Sequence, residues 1–302
     1  MSAKAWISAA RLRTLPLTLV CIGVGSSVAK AVGGFSMSIF LLTVLTAVLL
    51  QILSNFANDY GDFVKGTDND DRVGPQRAMQ SGAINQPQMK TALWLCGMAA
   101  LVSGIGLLFY ALDSLSEWLV FFALGLFSIL AAITYTVGKK AYGYQGLGDL
   151  MVFIFFGLVG VFGSYYLHTK VLDFTVFLPA VSVGLFSAGV LNMNNTRDIE
   201  NDEACGKITI PVRLGVSNAK MYQAFLVIGG LVSTIIFFVL KFEVGNTVYM
   251  LWLSPCIVLF GFHLYGVFRE KSYKGFDKQL KICVACTLLF GISFAWICFG
   301  IN

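Results

Sequence analysis

The feature that most restricts this chain is the spacing of its charges. Between them lie nine uncharged runs, at 14–29, 31–58, 91–112, 118–138, 150–169, 174–196, 221–240, 244–268 and 282–302, all but the first at least 20 residues long. A hydrocarbon core of ~30 Å needs roughly 20 helical residues, and every backbone N–H and C=O inside it must be satisfied within the segment, so such runs read as membrane-crossing helices. With 57% apolar residues, 12% charged residues and a mean hydropathy of +0.77, a soluble globular enzyme is excluded. The expected fold is all-α: a polytopic membrane protein, a nine-transmembrane-helix bundle forming one integral-membrane domain over residues 1–302.

Nine crossings make the connecting segments alternate between two faces. Segments 1–13, 59–90, 139–149, 197–220 and 269–281 hold 18 of the 21 Lys and Arg, and the other face keeps only Lys30, Lys170 and Lys241. The positive-inside rule therefore puts the N-terminus and the long loops in the cytosol and Asn302 outside. Lys4, Arg11 and Arg13 ahead of a short apolar run imitate a signal peptide, but the alternation counts 1–13 among the basic segments and favours a retained first helix. Twelve of the 16 acidic residues share that face, which the rule does not demand.

Six of the seven cysteines fall inside apolar runs, which excludes a secreted disulfide framework; Cys283 and Cys286 form a CxxC with no second pair, and read as small packing residues. His168 and His263 read as interfacial or interhelical hydrogen-bonding groups rather than a proton path.

The acidic surplus is concentrated in two places. Asp59, Asp62, Asp68, Asp70 and Asp71 follow the second run, and Asn55, Asp59 and Asp62 lie at i, i+4 and i+7, one stripe if the helix continues. Asp198 and Asp202 follow the sixth run, and the step from Asn194 to Asp198 repeats that from Asn55 to Asp59. Both runs travel in the same direction, so the clusters emerge on one face. Hydrated loops account for the position of the acids but not for the repeated phasing. Magnesium accounts for both: it takes one or two protein carboxylates and completes its shell with water and phosphate oxygens, so two clusters suit two ions bridged by a diphosphate. A calcium EF-hand starting at Asp68 fails, because Val73 stands where the motif needs Gly.

Lys65, Arg72 and Arg77 follow the first cluster, Lys139 and Lys140 end the fourth run, and Lys207 and Arg213 follow the second cluster. Topology and phosphate recognition each explain these cations. Gly66, Gly74, Pro75 and Gly82 punctuate the first long loop and favour tight turns, as in a cap folded over a pocket.

These residues resemble the intramembrane aromatic prenyltransferase (UbiA) family, which carries NDxxD after its second helix and DxxxD after its sixth. Here the motifs are Asn58-Asp59-Tyr60-Gly61-Asp62 and Asp198-Ile199-Glu200-Asn201-Asp202. Ala10-Arg11-Leu12-Arg13-Thr14-Leu15-Pro16, Lys65-Gly66-Thr67-Asp68, Asp71-Arg72-Val73-Gly74-Pro75-Gln76-Arg77 and Tyr144-Gln145-Gly146-Leu147-Gly148-Asp149 are similar to the family's naphthoate branch. The wider family often has a third Asp where this chain has Gly66, which leaves Asp68 an open candidate for metal ligation.

The resemblance implies magnesium-dependent transfer of a polyprenyl group from a polyprenyl diphosphate to 1,4-dihydroxy-2-naphthoate, with loss of CO2, in menaquinone biosynthesis at a bacterial cytoplasmic (inner) membrane. Its implied magnesium ligands and catalytic set are Asp59, Asp62, Asp198 and Asp202. Asn55, Asn58 and Asn194 are implied as nearby oxygen donors, and Arg72, Lys139 and Lys140 as leading diphosphate contacts with Lys65; Arg13 and Arg77 would meet either the acceptor carboxylate or phosphate. Tyr60, Tyr135 and Tyr144 offer ring faces to a carbocation, but aromatics also line ordinary membrane interfaces. A lateral opening for the lipid tail is expected. Two rival readings remain: the same chemistry on 4-hydroxybenzoate, homogentisate, haem or a chlorophyll precursor, and a cation-coupled transporter, which calls for polar groups deep in several spans or broken helix pairs at mid-membrane.

Overall fold

The computed structural model describes residues 3–241 and 251–300. Among them nine helices are long and apolar enough to cross a bilayer: span one Ala3–Ala31, span two Met37–Val64, span three Gln86–Ala111, span four Leu115–Thr134, span five Gly148–Thr169, span six Phe174–Arg197, span seven Ile210–Lys241, span eight Leu251–Arg269 and span nine Gly275–Gly300. No strand occurs among the described residues. Residues 244–250 of the eighth run lie outside them.

The uncharged runs mark the apolar middles of these helices but not their ends, because a charged side chain in water is no obstacle to a helix. Span two continues through Asp59 and Asp62 to Val64. The stretch 197–220, expected to be a loop, is helical over Ile199–Ala204 and again from Ile210, with a kink at Gly215, whose φ of 72° only glycine adopts at little cost. Span three starts on a capping box between Asn85 and Gln88 with Pro87 in its first turn.

Spans one and five also depart from regular α-helix. Span one is Ala3–Ala10 and Leu15–Ala31 joined by a 3-10 turn, with Arg11 left-handed at φ 50°. Span two holds this break: Asn55 Nδ2 donates to the Ala10 carbonyl at 2.8 Å and to Thr14 Oγ1 at 3.1 Å, and Gln51 donates to the same Oγ1 at 3.3 Å. Span five widens to a π-helix over Phe153–Phe162. Its glycines allow close contact, since a Cβ at Gly157 would meet the Ala180 carbonyl oxygen at 2.5 Å and one at Gly160 would meet Cys21 Sγ at 2.9 Å. Span five is thus clamped to spans six and one.

The main apolar core gathers Val24, Val161, Phe186, Phe260, Phe290 and Phe294 between spans one, five, six, eight and nine. Span four sits apart from it, packed on spans two and three and meeting span five with at most a glancing backbone contact. Both histidines make interhelical hydrogen bonds: His168 takes the Ser36 N–H at 3.2 Å and contacts Ser26 Oγ at 3.0 Å, and His263 contacts Gln223 at 2.9 Å. The seven cysteines are free, and Cys283 and Cys286 are buried in packing.

Candidate functional site

A cavity of about 830 Å³ opens between spans one to six and span nine. One end is polar, lined by Arg11, Arg13, Asn58, Asp62, Arg77 and Lys207; the body is apolar, with Leu101, Ile105, Phe155 and Phe156 among its walls. On span two the lining runs from Asp62 to Thr43, about 28 Å of helix axis and close to the hydrocarbon thickness of a bilayer.

The two acidic clusters lie beside the polar end, although of their four motif aspartates only Asp62 lines the cavity itself. Span two carries Asn55, Asp59 and Asp62 on one continuous helix, as the spacing required. Span six ends at Arg197, yet the Asp202 N–H still bonds the Asp198 carbonyl at 2.8 Å, so Asp198 and Asp202 stay one turn apart. Segment 65–85 joins the clusters. Arg77 lies 3.5 Å from Asp62 and 3.2 Å from Asp68, and Arg72 lies 3.4 Å from Asp68 and 3.6 Å from Asp198. Gly74 sits so close above that a Cβ there would come within 2.7 Å of guanidinium nitrogens of both Arg72 and Arg197. Asn201 Nδ2 donates to the Thr67 carbonyl at 2.8 Å, a further tie between the two segments.

Arg197, Lys207 and Tyr144 hold this arrangement. Arg197, fully buried, donates from Nε and Nη2 to the two Asp198 oxygens at 2.9 and 2.6 Å and from Nη1 to Asp277 at 2.8 Å. Lys207 pairs with Asp202 at 3.3 Å. Tyr144 donates to Asp62 Oδ1 at 2.8 Å and shares a hydrogen bond with Thr67 at 2.6 Å, and Lys65 lies 3.8 Å over its ring. Burial and the Asp62 charge push the Tyr144 phenol up, so it remains a protonated donor. Arg197 adjoins Asp198 in the motif and Arg11 lies in the quoted Ala10–Pro16 stretch; adjacency was the only signal for either. Lys207 stands in the sequence among the cations open to phosphate recognition and Tyr144 among the ring faces offered to a carbocation, but spacing points to neither as the partner of Asp202 or Asp62.

Burial sets the carboxyls apart. Asp68 is pushed up to about 7 by burial and the neighbouring Asp62, against the pull of Arg72, and Asp202 is pushed up to about 6 by burial, against Lys207. Burial also opposes ionisation of Asp198, but the Arg197 hydrogen bonds outweigh it and hold that carboxyl below its ordinary value.

Other expected residues are placed differently. Asn55 fixes the span-one break, its Oδ1 taking Gln51 at 3.3 Å. Asn194 lines the cavity and accepts from Arg197 at 3.1 Å. Arg13 also lines the cavity. Lys139 and Lys140 are exposed and absent from the cavity wall, and Tyr60 packs near Trp6 and Phe63, away from Asp62's partner tyrosine. Tyr135 lines the cavity, its phenol raised to about 12 by burial.

Among the described residues, no three His, Cys, Asp or Glu side chains converge tightly enough to enclose a metal alone. Asp59 Oδ1, Asp202 Oδ2 and Asn58 Oδ1 are, however, buried oxygens without a hydrogen-bond partner. Hard oxygen donors in ones and twos beside a cationic pocket fit magnesium, which draws the rest of its shell from water and phosphate.

Nine membrane-crossing helices among the described residues, with paired Asp motifs beside the head of a largely apolar cavity, define an intramembrane prenyltransferase, and the chain belongs to the UbiA prenyltransferase family, whose model matches residues 18–285. It is a multi-pass membrane protein. It is 48% identical over 225 residues to 1,4-dihydroxy-2-naphthoate octaprenyltransferase of Haemophilus influenzae, covering 74% of this chain and 73% of that one. The enzyme of that name from Escherichia coli is 48% identical over 234 residues, covering 78% of this chain and 76% of its own. Its fold is shared by a UbiA homolog from Archaeoglobus fulgidus solved with DMAPP and Mg2+, with a TM-score of 0.63 at 13% identity over 99% of this chain and 100% of that one.

Proposed function

We propose that this chain transfers a polyprenyl group from an allylic polyprenyl diphosphate to 1,4-dihydroxy-2-naphthoate, with loss of CO2 and diphosphate, giving demethylmenaquinone at the quinol level. The reading is carried by one observation: a single cavity whose head is lined by Arg11, Arg13, Arg77 and Lys207 with Asp62 and whose body beyond it is mainly apolar, the whole running about 28 Å along span two, matching an anionic head on a lipid tail. The named relatives at 48% identity support the naphthoate acceptor.

Asp59 and Asp202, with their open oxygens, and Asp62 and Asp198 would hold two magnesium ions, with Asn58 beside them. Bound magnesium supplies Lewis-acid neutralisation of the charge that gathers on the leaving diphosphate. Arg72, Arg77 and Lys207, now paired with carboxylates, turn toward the diphosphate; the two guanidiniums suit phosphate bidentately. Asp68 pairs with both arginines, and its two oxygens, also without a hydrogen-bond partner, stay open to a metal. Segment 65–85 serves as the cap that keeps water off the cation. The allylic C–O bond breaks, and the prenyl carbon bonds to the ring carbon that bears the carboxylate. CO2 then leaves without its bonding electrons, which return to the ring, so no proton has to be removed. Tyr135, neutral in the cavity wall, offers its ring to the cation. Arg11 and Arg13 are the cations left for the acceptor carboxylate.

The basic loops favour the cytosolic side of a bacterial inner membrane for this head. Transport fits less well: the only carboxylates in the cavity wall, Asp62 and Glu117, stand at opposite ends, so a cation would cross an apolar stretch without ligands. Membranes given labelled octaprenyl diphosphate and dihydroxynaphthoate, 4-hydroxybenzoate or homogentisate should prenylate the naphthoate alone, stop with EDTA and resume with magnesium. Activity without any divalent ion, or use of another acid instead, overturns the proposal.

A further inference from the structure

The apolar cavity ends, opposite its cationic head, on a polar pair that the proposed reaction does not use. Tyr166 of span five donates its hydroxyl to Glu117 Oε1 of span four at 2.6 Å, and both residues line the cavity. An apolar tail longer than the cavity gains nothing by pressing on a carboxylate there. The side wall beside this pair is thin. Span five is clamped by Gly157 and Gly160 to spans six and one, whereas span four packs on spans two and three and touches span five mainly through side chains. Those side-chain bridges are the Tyr166–Glu117 hydrogen bond, the Phe121 ring stacked on Tyr166 at 5.5 Å, and the Phe127 ring tilted against Phe155 at 5.6 Å. Phe121 and Phe127 are separated by about 9 Å along span four, and the cavity wall between them includes Leu124, Gly125 and Leu126.

Given the proposed polyprenyl diphosphate donor, on which this inference rests, we propose that the prenyl tail leaves the cavity sideways between spans four and five, and that the Tyr166–Glu117 hydrogen bond with its stacked Phe121 is the latch that must part to admit a long tail. Span four swings because it is attached on one side only; span five supplies the fixed jamb. The latch discriminates by length: a donor short enough to stay inside never meets it, while a long one binds only the fraction of molecules in which it is open, which raises its apparent KM.

The test compares kcat/KM for dimethylallyl and octaprenyl diphosphates in the full-length enzyme. Tyr166→Phe keeps the ring and removes the hydrogen bond, and should raise the octaprenyl-to-dimethylallyl ratio about tenfold through the octaprenyl KM, the size of one charge-assisted bond. Leu124→Trp, which fills the slot, should lower the ratio by about as much. Ratios unchanged in both variants, or moved the same way in both, overturn the latch. A photo-cross-linking octaprenyl diphosphate analogue with a diazirine at its tail needs binding only and not turnover: label on spans four and five supports the exit, and label confined to other spans overturns it. Loss of all transfer by the unaltered enzyme would instead count against the prenyl-transfer reading.

Discussion

Arg197→Met removes the guanidinium that closes the second acidic cluster. In the intact protein Arg197 is wholly buried and grips both oxygens of Asp198, a side chain only 5% exposed. Its loss leaves Asp198 with Arg72 at 3.6 Å as the remaining ion-pair partner, whereas Asp277 is 20% exposed and keeps Lys281 at 2.7 Å. The cost therefore falls mainly on Asp198, and breaking a buried pair from one side costs about 3–5 kcal/mol. Retained contact with Arg72 puts the expectation at the lower end, about 3 kcal/mol. The sign with pH follows from the carboxyl. In the intact protein Asp198 sits below its ordinary value, so its pairing stabilises the fold above the unfolded-state pKa and is lost as pH falls through the lower folded-state one. In Arg197→Met the carboxyl is buried and poorly paired, so it moves up and the deficit shrinks on acidification. Thermal unfolding in nanodiscs between pH 5 and 8, run on Arg197→Met and on Arg197→Met with Asp198→Asn, reads both effects. The double variant should regain at least half the lost stability while remaining inactive. A single variant as stable as the parent, or a deficit that grows as pH falls, refutes the assignment of Arg197 as the counter-ion that holds Asp198.

Tyr144→Phe takes the donor from Asp62 and should lower kcat about tenfold with little change in melting temperature, read by steady-state kinetics on membranes. Gly157→Ala drives a Cβ to 2.5 Å from the Ala180 carbonyl oxygen and should destabilise the bundle by about 1–3 kcal/mol, measured as a fall in melting temperature and in yield of folded protein. Lys139→Gln with Lys140→Gln, both exposed and off the cavity wall, should leave kcat/KM within about twofold, the range of an ordinary surface change.

The membrane architecture was legible because charge exclusion from hydrocarbon is severe and leaves long blank intervals. The limits of the helices were not, since nothing in Asp59, Arg213 or Lys220 opposes helix once the backbone is in water. The phasing of Asn55, Asp59 and Asp62 was readable for the same reason that their roles were not: spacing fixes a shared face, but only tertiary contact shows that Asn55 spends its amide on the Arg11–Thr14 break. Lys139 and Lys140, cations that topology favours and that stand close to motifs in sequence, are exposed and off the cavity wall. Arg197 was hidden by its neighbour, because an arginine beside an Asp motif on a cytosolic segment is what the positive-inside rule already expects. The π-helix of span five has no pattern in its apolar residues that sets it apart from α-helix.

The central claim is that the two Asp clusters hold one diphosphate through magnesium at the head of the cavity. Equilibrium binding of an unreactive prenyl thiolodiphosphate, titrated with magnesium on the parent, Asp59→Asn and Asp202→Asn, tests it without turnover. Binding should require magnesium in the parent and weaken at least about tenfold in each variant, the loss of roughly one ligand's share. Tight binding in EDTA, or unchanged affinity when either cluster loses its carboxylate, would contradict it.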